Sequence, residues 1–184
     1  MHFNTKKVAL MGVLTSLALI IFVIESQIPL PVPVPGAKLG LANAVTLFAL
    51  FFGKYEKKRG NTKSSGFDAP DLQMTDVFMI LVCRIILGAV FTGRVVAFIY
   101  SISGGIMGFA AQAATSKFVS NKQIWVCGAI GAIFHNVGQI LAAMFITATP
   151  AIAAYLPILT ISAIITGVIT GLAAQASLSR ISRM

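Results

Sequence analysis

PGAKLGLANAVTLFAL, residues 35–50, is the stretch that decides how this chain folds. It follows IPLPVPVP, in which alternating prolines from Pro29 to Pro35 fix φ and remove backbone donors, so that no helix runs through the segment. Lys38 and Asn43 then stand at the start of an apolar helix that is rich in small residues. The stretch predicts either a binding mouth at a membrane surface or a surface turn whose lysine reaches water.

The composition predicts an integral membrane protein with one polytopic domain over residues 1–184. Of the 184 residues, 57% are hydrophobic and 10% are charged, and the mean hydropathy is +0.90. A soluble domain usually carries about 25% charged residues. The net charge of +9 does not indicate nucleic-acid binding, because the charges flank the apolar segments.

Apolar runs of about 20 residues recur along the chain, which is typical of transmembrane helices. The fold class that we predict is therefore an all-α membrane protein with six transmembrane helices. A hydrophilic loop at residues 54–71 follows the second span. The predicted spans cover about residues 8–24, 39–53, 72–92, 95–116, 124–148 and 158–178.

The distribution of basic residues predicts the orientation of the bundle. With six spans, both termini and the loop at 54–71 share one side of the membrane, and only Lys38 and Arg94 lie on the other side. The positive-inside rule therefore places both termini in the cytoplasm. The basic residues on the terminal side are Lys6, Lys7, Lys54, Lys57, Lys58, Arg59, Lys63, Lys117, Lys122, Arg180 and Arg183.

Arg84 lies deep inside the third predicted span, where a charge costs at least about 2.5 kcal/mol unless something compensates it. An arginine does not escape this cost by losing its proton. Three explanations stay open: a bound anionic ligand, an ion pair with Glu25, or snorkelling to the interface. A ligand that exchanges with the acid would reconcile the first two.

Further polar groups lie in the middle of the fifth span. His135 and Gln139 share one helical face, and Asn136 lies about 100° around it. They form either a hydrogen-bond network between helices or a ligand cavity open to the outside. In the fourth span, SISGGIMG predicts close helix packing through Gly104 and Gly108, or a locally opened helix.

Several motifs together carry a family resemblance over nearly the whole chain. LGLANAVTLFAL, LVCRIILG, SISGGIMG, GAIGAIFHNVGQILAA and YLPIL, in this order, resemble the Gx transporter family, which is also labelled heptaprenyl diphosphate synthase component I. That family is similar to the substrate-binding S components of energy-coupling factor (ECF) transporters. The resemblance implies an S-component-like bundle in the bacterial cytoplasmic membrane.

The resemblance also implies a function. An S component captures a vitamin or related solute from outside and works with a T component and two cytoplasmic ATPases. The likeness assigns the small residues Ala9, Gly12 and Ser16 to the face toward a T component. Family members also resemble a membrane protein of flavin-based extracellular electron transfer, which implies a link to demethylmenaquinone or flavin.

We expect no catalytic activity, metal or cofactor. The chain has no aspartate-rich DDxxD motif and no Walker lysine motif. The leading hypothesis is a subunit that binds a small amphipathic or anionic organic solute, and the alternative is a membrane subunit that supports prenyl diphosphate or menaquinone synthesis or electron transfer. The predicted binding residues are Lys38, Asn43, Arg84, His135, Asn136 and Gln139.

Overall fold

The computed structural model describes residues 4–28, 38–59, 71–120 and 122–181. These residues form α-helices and one 3₁₀ helix, with no β-strand among them, which confirms the all-α class. The proline run and residues 60–70 lie outside the described residues. The helices are α1 (Thr5–Glu25), α2 (Asn43–Arg59), α3 (Met74–Thr92), α4 (Val95–Thr115), α5 (Ile124–Thr147), the 3₁₀ helix (Pro150–Tyr155) and α6 (Leu156–Ile181).

Among the described residues, five helical segments are long and apolar enough to cross a membrane. They are α1, α3, α4, α5 and the 3₁₀ helix together with α6. The chain is thus suited to cross a membrane several times. The sixth crossing and the cytoplasmic position of the termini stay predictions, because α2 has only 17 residues.

The bounds of α2 differ from the predicted span at 39–53. The helix begins at Asn43, because Gly40 adopts a left-handed φ of +80° and interrupts regular structure just before it. It then runs on to Arg59, through residues that we had assigned to a loop. The sequence KYEKKR contains good helix formers, and the charge of these side chains does not oppose a helix.

Helix α2 is the centre of the bundle. It contacts each of the other five α-helices, and no other α-helix of the described chain does so. Leu47 and Phe51 are fully buried on one side of this helix, and Ala49 is fully buried on the opposite side. A helix that is buried all round occupies the interior, so the other helices enclose the start of α2, where the predicted binding residues gather.

Two clusters of buried side chains fill the bundle. The larger one includes Leu14, Phe51 and Ile124, and both Leu10 near the start of α1 and Ile181 at the end of α6 pack against it. The first and last helices therefore pack against the same core cluster. The smaller cluster, which includes Tyr100, Ile140 and Leu159, lies between α4, α5 and α6.

Glycines allow α4, α5 and α6 to approach closely. A methyl group added at Gly104 would lie 2.8 Å from the backbone oxygen of His135, and one added at Gly108 would lie 3.0 Å from that of Gly131. Helix α4 is continuous through SISGGIMG. The close-packing interpretation is therefore correct, and the locally opened helix is not found.

Candidate functional site

The site begins with residues 38–42, which we call the connecting segment and which lead directly into α2. Two side chains from other helices hold its backbone. The carboxylate of Glu25, at the end of α1, accepts a hydrogen bond from the Gly40 N–H at 2.5 Å. The side-chain oxygen of Gln139 on α5 accepts one from the Lys38 N–H at 3.0 Å. Non-helical backbone inside a membrane bundle needs such partners.

Gly40 is required at its position for two reasons. Its φ of +80° lies in the left-handed region, and an added methyl group would stand 2.8 Å from the His135 ring carbon Cδ2. A side chain here would therefore be strained and would collide with the imidazole. The glycine lets the connecting segment lie against α5.

Arg84 on α3 reaches the first residue of α2. Its Nη2 donates a hydrogen bond to Asn43 Oδ1 at 2.5 Å, and both residues are buried. Because the Asn43 oxygen receives the guanidinium, its amide nitrogen points elsewhere, and that nitrogen has no hydrogen-bond partner. Arg84 Nε is also buried without a hydrogen-bond partner.

A hydrogen-bond chain fixes the proton on His135. Because the oxygen of Gln139 accepts the Lys38 N–H, its amide nitrogen faces His135 Nε2 at 2.7 Å and donates to it. Nε2 is then the unprotonated nitrogen of a neutral imidazole, and Nδ1 carries the hydrogen. Nδ1 is buried and has no hydrogen-bond partner.

Lys38 brings a second cation to the site. Its Nζ lies 3.1 Å from the centre of the Phe22 ring, a cation–π contact, and has no hydrogen-bond partner. Lys38 lies in the connecting segment, outside the spanning helices. Burial lowers the pKa of Lys38 from 10.5 to about 8, although the nearby charge of Glu25 acts in the opposite direction.

Together these groups form a cluster of hydrogen-bond donors. Lys38 Nζ, Asn43 Nδ2, Arg84 Nε and His135 Nδ1 are buried and unsatisfied, and we call these four residues the donor cluster. Their exposed fractions are 8, 5, 3 and 4%, so solvent does not satisfy them. Buried polar groups normally have partners, and the partner that would complete this cluster must supply acceptors.

Asn136 is placed apart from the donor cluster. Its amide nitrogen donates to the backbone oxygen of Leu159 at 2.8 Å, which ties α5 to α6. The structure therefore brings five of the six predicted binding residues together: Lys38, Asn43, Arg84, His135 and Gln139. The sixth, Asn136, contacts α6 instead. For Asn136, the structure shows the hydrogen bond between helices, which was one of the two explanations offered above, the other being a ligand cavity.

Glu25 and Arg84 are neighbours without a direct ion pair. Among the described residues, Lys7 and Asp76 form an ion pair at 2.6 Å, and Arg84 forms none. Glu25 does interact electrostatically with both Arg84 and Lys38. From the sequence, Glu25 was considered only as a possible ion-pair partner of Arg84. Its hydrogen bond to the Gly40 N–H could not be predicted, because the two residues are 15 positions apart.

The small-residue stripe of α1 faces away from the bundle. Ala9, Gly12 and Ser16 are exposed, and a methyl group added at Gly12 would meet nothing within 4 Å. The Ser16 hydroxyl donates to the Gly12 backbone oxygen at 2.9 Å, so it needs no outside partner. The stripe is thus free for contact with lipid or with another protein.

The described residues show neither an apolar groove nor a metal site at the donor cluster. An apolar groove of about 390 Å³ lies between α4 and α5, lined by residues such as Ala110, Ala114 and Phe134, and its lining shares no residue with the cluster. Over the described residues, no group of three His, Cys, Asp or Glu side chains is placed to hold a metal ion.

Comparison with known proteins gives one match. The family model described as heptaprenyl diphosphate synthase component I matches residues 14–59 and 69–177, a range that includes all six predicted binding residues. No protein of curated function and no solved structure gives a significant match. The match covers most of the chain, and the protein belongs to the heptaprenyl diphosphate synthase component I family.

Proposed function

We propose that this protein is a non-enzymatic membrane subunit that binds a small amphipathic organic anion from outside the cell, as the substrate-binding component of an ECF-like transporter. The observation that carries the proposal is the donor cluster. It holds four buried donors without hydrogen-bond partners, on residues that include a lysine and an arginine. Apolar helices around a few convergent polar groups are typical of small-molecule sites.

The chemistry of the cluster supports an anion in particular. A neutral ligand would leave the charges of Lys38 and Arg84 without compensation, apart from the single carboxylate of Glu25. Charge-assisted hydrogen bonds from guanidinium and ammonium groups to an anion are about twice as strong as neutral ones. An anionic head group with an apolar tail would match both the cluster and the helices around it.

In this proposal, the exposed stripe of α1 contacts a T component, and cytoplasmic ATPases drive release of the solute. The uncovered position of Ala9, Gly12 and Ser16 is compatible with that contact. The chain has no Walker motif, so the energy must come from partner proteins.

The family supports a second candidate function. Its description, heptaprenyl diphosphate synthase component I, favours a membrane subunit that supports prenyl diphosphate synthesis. In that case the donor cluster would hold an isoprenoid or quinone-related head group without moving it across the membrane.

The test is native mass spectrometry of the tagged protein, purified in mild detergent from the membranes of the organism that produces it. We expect the wild type to carry an organic anion, Arg84→Gln to lose it, and Arg180→Gln to keep it. Arg180 is a suitable control because it is exposed and lies in the last turn of α6, away from the donor cluster. An empty wild type, or equal occupancy in Arg84→Gln, would contradict the proposed site.

Proteins recovered in the same purification distinguish the two functions. A T component with ATPases supports the transporter. A prenyl-transfer or redox protein without ATPases supports the second candidate, and prenyl chain elongation that requires this chain would establish that candidate.

A further inference from the structure

The apolar groove between α4 and α5 lies on the outer surface of the bundle. Its lining includes Ala110, Ala111 and Ala114 on α4 and Ile130 and Phe134 on α5. Ala110, Ala114 and Phe134 are exposed, so the groove opens toward the membrane around the bundle and not into its interior. The small side chains of α4 thus leave space for an apolar chain that comes from outside.

The groove covers about the depth of one membrane leaflet. On α4 its lining includes Met107 and, eight positions later, Thr115, which is the last residue of the helix. That stretch of helix rises about 12 Å, which is a little less than half of a hydrocarbon core about 30 Å thick. The acyl chain of a lipid in one leaflet therefore matches the length of the groove.

The end of the groove lies at the depth of lipid head groups. Lys117 is exposed, and its backbone N–H donates to the Ala114 oxygen at 3.2 Å, so it lies one turn beyond the groove lining. Lys122 is also exposed and lies just before the start of α5. Trp125, exposed in the first turn of α5, is typical of the membrane interface.

The positive charge at this end of the groove is not balanced by the chain. Lys54 on α2 donates from Nζ to the Ser116 backbone oxygen, which brings a third lysine to the end of α4. From residue 77 onward the sequence contains no Asp or Glu. The acid closest in sequence to Lys54 is Glu56, which lies about 160° around α2 from it. Within the described chain, Lys117 and Lys122 form no ion pair.

We propose that this groove binds one anionic phospholipid, whose acyl chain lies along residues 107–115 and whose phosphate contacts Lys117, while Lys122 and Lys54 strengthen the attraction. Basic residues beside a cleft between transmembrane helices are typical of sites for anionic head groups. A zwitterionic lipid fills the groove as well but brings no net charge to the lysines. The site is separate from the donor cluster, with which the lining shares no residue.

The test is a competition between two lipids with the same dioleoyl chains, phosphatidylglycerol and phosphatidylcholine. The full-length protein is delipidated in detergent, equal amounts of both lipids are added, and native mass spectrometry measures the ratio in which the first lipid binds. A parallel sample contains an excess of glycerol phosphate, which has the phosphate without acyl chains. The proteins compared are the wild type, Lys117→Gln, Ala114→Phe, Lys6→Gln and Ala173→Phe.

The last two variants are matched controls. Lys6 is exposed on α1, which contacts neither α4 nor α5 in the described part of the chain, and Lys6→Gln removes one positive charge as Lys117→Gln does. Ala173 is exposed on α6 and does not line the groove, so Ala173→Phe adds the same ring elsewhere on the surface.

For the wild type we expect phosphatidylglycerol to bind at least about tenfold more often than phosphatidylcholine, because each lysine near an anionic head group contributes about fivefold. Lys117→Gln should lower this ratio by about fivefold. Ala114→Phe fills the groove and should weaken the binding of both lipids. Lys6→Gln and Ala173→Phe should behave like the wild type, and glycerol phosphate should not displace phosphatidylglycerol.

Three results would overturn the inference. A ratio near one in the wild type would show that the groove does not select anionic lipids. Equal reductions in Lys117→Gln and Lys6→Gln would assign the preference to the total charge of the protein. Unchanged binding in Ala114→Phe, or displacement by glycerol phosphate, would show that the groove does not hold the acyl chain. None of these results affects the donor cluster, whose ligand is tested with Arg84→Gln.

Discussion

Lys38 has a pKa close to physiological pH. Burial lowers this pKa from 10.5 to about 8, so the ammonium group is mostly protonated at pH 7 and mostly neutral at pH 9. The charged groups that face it are Glu25 from α1, Arg84 from α3 and Arg94 before α4. Arginines keep their charge throughout this range.

We expect the affinity for octanoate, a simple amphipathic organic anion, to fall by roughly tenfold between pH 7 and pH 9, the scale of one close charge interaction. The affinity falls as the pH rises, because the protonated Lys38 ammonium group attracts the anion below pH 8 and is lost above it. Titrations at pH 7, 8 and 9 measure the effect. Lys38→Met should bind more weakly at pH 7 and show little change with pH. An unchanged pH dependence in that variant would assign the effect to another group.

Arg84 and Asn43 illustrate what could be predicted about single residues. The cost of a charge inside a span identified Arg84 as important from its position alone. Its hydrogen-bond partner could not be predicted, because Asn43 lies 41 residues earlier and many polar side chains were equally available by sequence. The same holds for Gln139, whose contact with Lys38 spans 101 residues.

At the scale of elements, the packing of α5 on α6 depends on glycines. A methyl group added at Gly167 would lie 2.6 Å from Ala129 Cα and 2.7 Å from the Gly128 backbone oxygen. Both of these atoms belong to helix backbone, which does not move aside as a flexible side chain does. The helices would therefore have to separate.

Gly167→Ala should lower the free energy of unfolding by about 1–3 kcal/mol, the usual effect of overpacking. Gly12→Ala is the matched control, because a methyl group there meets nothing within 4 Å. Gly12→Ala should leave the free energy of unfolding unchanged or raise it by up to about 1 kcal/mol, because alanine is the better helix former. Reversible unfolding in mixed micelles measures both variants, and equal losses would contradict the packing described for α5 and α6.

The central position of α2 could not be predicted from hydropathy. In a soluble protein, a helix that is apolar on all sides is recognised as buried. In a membrane protein the lipid-facing helices are apolar as well, so Leu47, Ala49 and Phe51 carry no distinguishing pattern. The sequence did show that the second apolar segment is short. The contacts of α2 with all five other α-helices became known only from the three-dimensional structure.

At the scale of the whole molecule, the orientation is the main open prediction. Leu10 near the start of α1 and Ile181 at the end of α6 pack against the same core cluster, whereas Lys38 of the donor cluster contacts Phe22 near the other end of α1. The excess of lysine and arginine at the terminal end predicts that this end is cytoplasmic. The site would then open toward the outside, as the proposed solute capture requires.

Thiol labelling tests this orientation. Cys83 and Cys127 are first replaced by alanine, and Arg94→Cys or Lys117→Cys is then introduced at an exposed position. In intact cells that express the protein, an impermeant maleimide should modify the variant at position 94 and spare the one at position 117. After lysis, both should react. Reaction at position 117 alone in intact cells would invert the predicted topology.

The 101 residues that separate Lys38 from Gln139 have a consequence for biogenesis. The ribosome synthesises the connecting segment long before the helix that secures the Lys38 N–H. During insertion, that backbone must remain hydrated or be held by the translocon until α5 arrives. A nascent chain arrested after α4 should therefore be a preferred target for membrane quality control, whereas release of α5 completes the enclosure of α2.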